Sequence, residues 1–397
     1  MKDPKEKVVI LSAVRTPVGK FGGSFKDTGA VALGVAASVE AMKRAGVAPD
    51  QIDEAIFGHA RQAGNGPNPA RQILVRSGIP NDRPAFTVNK ACASGMKAVT
   101  LGCQSLLLGE NKIVLAGGIE NMSRIPYLLD GARWGYRLGD GKLVDAMYRD
   151  GLFCPLAERI MGETAETLAD RYKISRREQD AYAFQSQMKA KAAAEAGKFK
   201  DEIVPVTVKG KGGPDLQVTA DEHARPDTTQ EKLAKLPPVF REGGTVTAGN
   251  SSGLTDGAAA FVLTTSTEAK KLGARPLAEI LGFSSAAVDP KEMGLGPVPA
   301  VKKILKTLGL TLEDFDLVEI NEAFAAQVLA CERELAWDTS KRNVNGGAIA
   351  LGHPIGCTGA RIIVTLLHSL IREGKELGLA TLCVSGGQGM ALVLKRF

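Results

Sequence analysis

Four residues carry side chains able to move a proton, attack a carbonyl or hold a polar group, and each stands at the end of a strand-like run. They are Cys92 in NKACASGMKA, His353 in GGAIALGHPIGCTGAR, Cys383 in TLCVSGGQGMAL and Asn321 in VEINEAFAA. Cys92 opens an apolar helical segment, where unpaired N–H groups and the helix dipole favour a thiolate. Taken alone it reads equally as a packing residue, and Cys103 on the same segment reads as core. His353, between Gly352 and Pro354, can present a ring nitrogen, and a Cys–His pair generates a nucleophile at neutral pH. A hydrogen-bonded core histidine is the alternative. Cys383 precedes glycines whose N–H groups could line an anion site. Asn321 reads either as a site residue or as a helix cap. His59, His223 and His368 lie at a strand end or in charged or helical surroundings and have no comparable setting.

The elements that must position these residues alternate. Runs such as KVVILSAV, EAIFGHA, AFTVN and KIVLAGG read as strands, and GAVALGVAASVEAMKRAG reads as a helix. This alternation predicts an α/β architecture with sheets covered by helices. It stops near residue 121; from there to about 249 loop-like text surrounds one long amphipathic helix, SRREQDAYAFQSQMKAKAAAEAGKF, and a turn-rich stretch, KGKGGPDLQ. The segment reads as an insertion forming a lobe of its own. Alternation resumes with GAAAFVLTT and runs to the end.

The two α/β portions resemble each other. AMKRAGVAPDQIDEAIFGHA aligns without a gap to ILKTLGLTLEDFDLVEINEA, bringing Gly46 onto Gly309 and Ile52 onto Phe315. Each is a helix, a glycine stop, a turn and an apolar strand. VNKACASGMKAV followed by KIVLAGG matches VNGGAIALGHPIGCTGARII followed by TLCVSGG more loosely. A duplication of this kind places equivalent strand-to-helix turns near one another, and ligands of α/β proteins bind beyond the carboxyl ends of strands. The turns holding Cys92 and His353 are equivalent and are expected to meet.

A chain of 397 residues exceeds what one hydrophobic core normally supports, so two or three subdomains are expected. A net charge of +6 without a dense Lys/Arg block argues against nucleic acid and suits a phosphate-bearing small molecule as well as it suits simple solubility. The six cysteines lack C-x-x-C spacing, which argues against a metal site or a disulfide framework and for reduced thiols in the cytoplasm. No secretory leader is legible, and no run approaches the roughly 18 apolar residues of a membrane span. GGAIALG lacks the acidic residue and the unit of a dinucleotide site.

NKACASGMKA, NEAFA, NGGAIALGHPIGCTGAR and CVSGGQGMA follow the order and spacing of the thiolase family, which the whole chain resembles. AVRTPVGKFGG, NPARQ, VTAGNSSGLTDGAAA and GPVPA resemble that family's supporting motifs. The likeness is strongest to its acetyl-CoA acetyltransferase and 3-ketoacyl-CoA thiolase branch. It implies two duplicated α/β halves in a five-layered αβαβα arrangement. Residues 1–122 with 250–275 would form the N-terminal half, 123–249 a loop domain contributing to coenzyme A (CoA) binding, and 276–397 the C-terminal half. It also implies a homodimer or homotetramer with no permanently bound cofactor, CoA and acyl-CoA serving as substrates.

By the same resemblance Cys92 carries the acyl group, His353 takes its proton, Cys383 is the acid/base, and Asn321 acts through a held water on the enolate oxygen. The backbone N–H groups of Cys92 and Ser385 would form an oxyanion hole. Arg225 would lie near the nucleotide phosphates, Phe240 against adenine or pantetheine, and Ser252 near pantetheine, while Met161, Met293 and Phe324 would line the acyl pocket. Two positions depart from the family pattern. Ser385 replaces a common glycine, and Ile160 replaces a histidine frequent before the methionine in short-chain members, which makes a bulkier, branched or aromatic 3-oxoacyl group plausible. The competing readings are a ketoacyl-synthase-type condensing enzyme and a non-catalytic acyl-CoA-binding subunit, and a partner subunit stays open.

Overall fold

The computed structural model describes residues 6–210 and 213–397; the charged first five residues, and residues 211–212 of the turn-rich stretch, lie outside the described residues. The strands are β1 (Val8–Arg15), β2 (Glu54–His59), β3 (Ala85–Val88), β4 (Ile113–Asn121), β5 (Thr255–Thr265), β6 (Ala278–Ala287), β7 (Leu317–Ile320), β8 (Leu377–Val384) and β9 (Gln388–Arg396). The helices that matter for the site are α1 (Ala30–Ala45), α2 (Ser94–Leu108), α3 (Met161–Arg171), α4 (Arg176–Glu195), α5 (Pro297–Leu308), α6 (Ala325–Leu335) and α7 (Ile355–Glu373).

The principal sheet runs β7-β8-β9-β6-β1-β5-β4-β2-β3. β2 is parallel to β4 and β7 parallel to β8, whereas β1·β5, β5·β4, β6·β9 and β9·β8 are antiparallel. Read outward from the centre, the two arms therefore have the same order and sense. Local details repeat as well: α1 and α5 end at left-handed Gly46 (φ 65°) and Gly309 (φ 66°). β1 and β6 each carry a bulge, between Ile10 and Ser12 and between Ile280 and Gly282. A bulge shifts the side-chain alternation by one residue, which is why Val8 and Ile10 face one core but Ala13 joins them from the odd-numbered set.

The ladder pairs Val9–Glu279 and Ile10–Ala278 join the arms, which lie on either side of α2 and α7. One core packs α1 against Leu115 and Val262; a middle core holds Met96 and Val99 of α2 and Ile362 and Leu366 of α7 between Phe261 and Leu382. A third packs α5 and α6 against Leu379 and Val393. These are the five layers. From the insertion, Leu168 of α3 and Tyr182 of α4 pack into the third cluster. α7 is long and apolar enough to cross a membrane by composition, yet 83% of its most apolar window is buried between the layers.

Glycines let α2 and α7 touch backbone to backbone at their N-terminal turns. A Cβ on Gly95 would stand 2.8 Å from Ala360, one on Gly359 2.7 Å from the Met96 nitrogen, and one on Gly118 2.6 Å from the Gly356 carbonyl oxygen. Any side chain there would force the helices apart. The turns that precede these helices carry Cys92 and His353.

Candidate active site

Cys92 lies in a 3₁₀ turn, Ala91–Ala93, one turn earlier than the start of α2. Ala91 is left-handed (φ 43°), an unfavourable conformation for a residue with a Cβ. Side chains hold it there. Asn89 Oδ1 accepts the Ala91 N–H (2.9 Å) and Asn89 Nδ2 donates to the Ala60 carbonyl (3.0 Å), while Ser94 Oγ accepts the Lys90 N–H (2.8 Å) and donates to the Ala91 carbonyl (2.7 Å).

His353 precedes α7, and its turn is fastened to the N-terminal arm. Its N–H donates to the Gly253 carbonyl (3.1 Å), and the Gly356 N–H donates to Glu120 Oε2 on β4 (2.9 Å). Gly352 (φ 98°) has no room for a side chain, since a Cβ would meet Thr255 at 2.3 Å. His353 Nε2 lies 3.3 Å from Cys92 Sγ, and its Nδ1 lies 2.6 Å from Thr358 Oγ1. Thr358 Oγ1 donates to the Pro354 carbonyl (3.0 Å), so it accepts from Nδ1–H. Nε2 is then the lone-pair nitrogen facing the thiol.

Asn321 follows β7, and its Nδ2 approaches the same Nε2 at 3.5 Å, the arrangement of a donor toward an acceptor. Its Oδ1 is buried without a protein partner. Asn321 caps no helix: α6 starts at Ala325 after Phe324. Neighbouring Glu322 fixes the turn by accepting from Tyr182 (2.9 Å) and Ser186 (2.6 Å) of α4 and from Asn343 (2.8 Å).

Cys383 stands one residue before the end of β8 and is fully buried. The hairpin to β9 turns through left-handed Gly386 (φ 84°) and Gly387 (φ 79°), which glycine alone adopts at no cost. This turn brings Ser385 into the wall of the cavity that Cys92 lines, where the backbone N–H groups of Ser385 and Cys92 favour the Cys92 thiolate.

Burial dominates the electrostatics. It pushes the Cys92 thiol above its usual range, although the Ser385 N–H and the charge of Arg61 oppose it. The low pKa expected from a helix N-terminus is therefore outweighed, and the thiol needs a base. Burial also pushes His353 down to about 3, so the ring is neutral and free to accept. Cys383 is held well above the ordinary thiol range by burial and by Cys92 nearby.

Cys92, His353 and Cys383 line one cavity of about 660 Å³, the size of a small-molecule site. Met161, Met293, Phe324, Phe240, Ser252 and Arg225 line it too, as do Ile160 and Ser385. Phe240 packs edge-on to Phe324 (5.9 Å, 88°), and Gly162 permits this, since a Cβ there would lie 2.3 Å from the Phe240 ring. Arg225 is exposed at the mouth. Sequence reasoning passed over His223 and Arg61, both of which line the cavity, and Thr358, which orients His353. Only the last had a local signal, a hydroxyl five residues beyond a histidine at a helix start.

Residues 8–267 match the family model "Thiolase, N-terminal domain" and residues 274–396 match "Thiolase, C-terminal domain". The acetyl-CoA acetyltransferase of Syntrophomonas wolfei is 51% identical over 393 residues, covering 98% of this chain and 99% of that protein. The crystal structure of the Bacillus anthracis acetyl-CoA acetyltransferase superposes with a TM-score of 0.97 at 48% identity, covering 99% of each chain. Human mitochondrial 3-ketoacyl-CoA thiolase in complex with CoA gives a TM-score of 0.95 at 45% identity, covering 99% of this chain and 98% of the human one.

Proposed function

The chain belongs to the thiolase family, and on that premise we propose that Cys92, His353, Cys383 and Asn321 carry out its reaction. The enzyme is an acyl-CoA C-acyltransferase, a thiolase that joins two acetyl-CoA or cleaves a 3-ketoacyl-CoA with CoA. The observation that carries the residue assignment is the 3.3 Å approach of His353 Nε2 to Cys92 Sγ beside buried Cys383 in one cavity.

In the cleavage direction His353 Nε2 takes the Cys92 proton and the thiolate attacks the C3 carbonyl. The N–H groups of Cys92 and Ser385 meet the oxyanion. The C2–C3 bond breaks, its electron pair becomes the acetyl-CoA enolate, and the Cys383 thiol protonates that carbon. CoA then takes the acyl group from Cys92, its own proton passing to Cys383, and the leaving Cys92 thiolate recovers its proton from His353 Nε2. Asn321, with the unpartnered Oδ1 and Nδ2 at His353, suits a held water that stabilises the enolate oxygen together with the imidazole.

The insertion contributes the CoA side, with Arg225 toward the nucleotide phosphates and Phe240 and Ser252 along the pantetheine arm; Met161, Met293 and Phe324 enclose the acyl group. Supporting this, all six line the cavity. We assign residues 1–122 with 250–275 to one half, 123–249 to the loop domain and 276–397 to the other half. Homodimers or homotetramers fit the exposed Trp134, Leu138 and Leu143 of the insertion, and a cytoplasmic setting fits the six free cysteines. A ketoacyl-synthase reading is disfavoured, because Asn321 and Cys383 stand where that class needs a second histidine and no second thiol.

Thiolysis of acetoacetyl-CoA and of longer, branched and aromatic 3-ketoacyl-CoAs, followed by loss of magnesium–enolate absorbance, tests the reading. Cys92→Ala must abolish turnover; undiminished activity would overturn the nucleophile assignment.

A further inference from the structure

Arg61 is a cation in the wall of the cavity that holds Cys92 and His353. Two carbonyls hold its guanidinium: Nη2 donates to Gly151 (2.9 Å) and Nη1 to Ala60 (3.4 Å). Nε is buried without a partner. Among the described residues no carboxylate lies within ion-pairing distance of it. Glu120, which meets the backbone of Arg61, is already engaged. Its Oε1 accepts the backbone N–H of Arg61 (3.3 Å) and faces His59 Nε2 (3.1 Å), and its Oε2 accepts the Gly356 N–H.

The neighbour of Arg61 in the chain, Ala60, belongs to an apolar patch of the same wall. Ala60, Met122, Met147 and Ile355 form a small cluster against which Leu152 and Cys92 pack. The charge of Arg61 reaches both reacting groups, favouring the Cys92 thiolate and disfavouring protonation of His353. A guanidinium in such a wall with donors to spare is matched by a carboxylate, which it binds with paired, charge-assisted hydrogen bonds. An alkyl tail would leave those donors unpaired.

We propose that Arg61 binds a carboxylate at the far end of the acyl group, so that the enzyme acts on 3-oxoacyl-CoAs whose tail ends in a carboxylate. This rests on the thiolase reading of the site and names its substrate class. The covalent steps are unchanged: Cys92 Sγ bonds C3, the C2–C3 bond breaks, the acetyl-CoA enolate takes a proton from Cys383, and CoA–SH removes an ω-carboxyacyl group from Cys92. The tail carboxylate stays ionised beside Arg61 throughout.

The test compares thiolysis of 3-oxohexanedioyl-CoA with that of 3-oxohexanoyl-CoA, which matches it in length but ends in a methyl group. Wild type is expected to favour the dicarboxylate at least tenfold in kcat/KM. Arg61→Gln should remove that preference, chiefly through KM for the charged substrate, and Arg61→Lys should retain part of it. If Arg61 only tunes the thiolate or supports the loop at Gly151, Arg61→Gln lowers both substrates equally and the ratio stays within twofold, which overturns the proposal. A wild-type preference for the neutral chain overturns it as well. Mass spectrometry of Cys92 separates the two failures: absence of any acyl-Cys92 with either substrate defeats the thiolase mechanism itself, whereas acylation without discrimination defeats only the role of Arg61.

Discussion

Thr358 Oγ1 stands 2.6 Å from His353 Nδ1 and donates its own proton one turn back to the Pro354 carbonyl. That pairing fixes the imidazole with its proton on Nδ1 and leaves Nε2 as the base. Thr358→Val keeps the shape but removes the acceptor, so kcat should fall roughly 10²-fold, within the range for a displaced general base. Thr358→Ser should restore most of it. Stopped-flow acylation by acetyl-CoA measures the step directly, and equal loss in both variants would refute the tautomer argument.

Buried neutral His353 makes the fold sensitive to acid. Its folded pKa of about 3 lies below the ordinary 6.5. Above the ordinary value neither folded nor unfolded chain holds the proton, and stability is at its full level. Between that value and the folded one the unfolded chain binds a proton that the folded chain does not, so stability declines as pH falls. At about pH 5 this amounts to about 2 kcal/mol. Urea unfolding near pH 7.5 and near pH 5 should show a smaller difference for His353→Gln than for wild type.

Cys383 is held as a neutral thiol by burial and by Cys92, so its part is to give and take a proton at carbon. Cys383→Ala should still form acetyl-Cys92 from acetyl-CoA, visible by intact mass. Condensation should fall by about 10³-fold. Loss of acylation together with condensation would assign Cys383 a different role.

The contact between α2 and α7 leaves no space at Gly95, where a Cβ would meet both the Cβ and the nitrogen of Ala360 at 2.8 Å. Gly95→Val should cost about 3 kcal/mol in urea unfolding through overpacking. Activity should fall further than the folded fraction does, because the separation of Cys92 from His353 widens.

The reacting groups were legible because Cys92 and His353 each precede a central helix, Asn321 and Cys383 stand at or near strand ends, and the two halves repeat; Gly46 and Gly309 show the repeat at the level of a single backbone angle. What the sequence did not display depends on distant chain segments. Arg61 follows a strand end and is tied within the cavity wall to Gly151 of the insertion, 90 residues along the chain. His223 likewise lines the site because its ring packs on Gly253, far along the chain. The packing of α4 was equally hidden: Tyr182 shares one apolar cluster with Leu233 and Val246 of the insertion and with Ala325 of α6, segments far apart along the chain. The α2–α7 crossing was hidden too, since a glycine in a helical pattern reads as a weakness until its neighbour is known.

The glycine contact between α2 and α7 also sets an order of assembly. Cys92 and His353 are separated by 261 residues, and contacts over such separations form late in folding. Each arm can gather its own strands and outer helix before the two central helices meet. During refolding, helical signal should therefore return ahead of catalytic turnover, with the catalyst appearing only when two nearly finished halves dock.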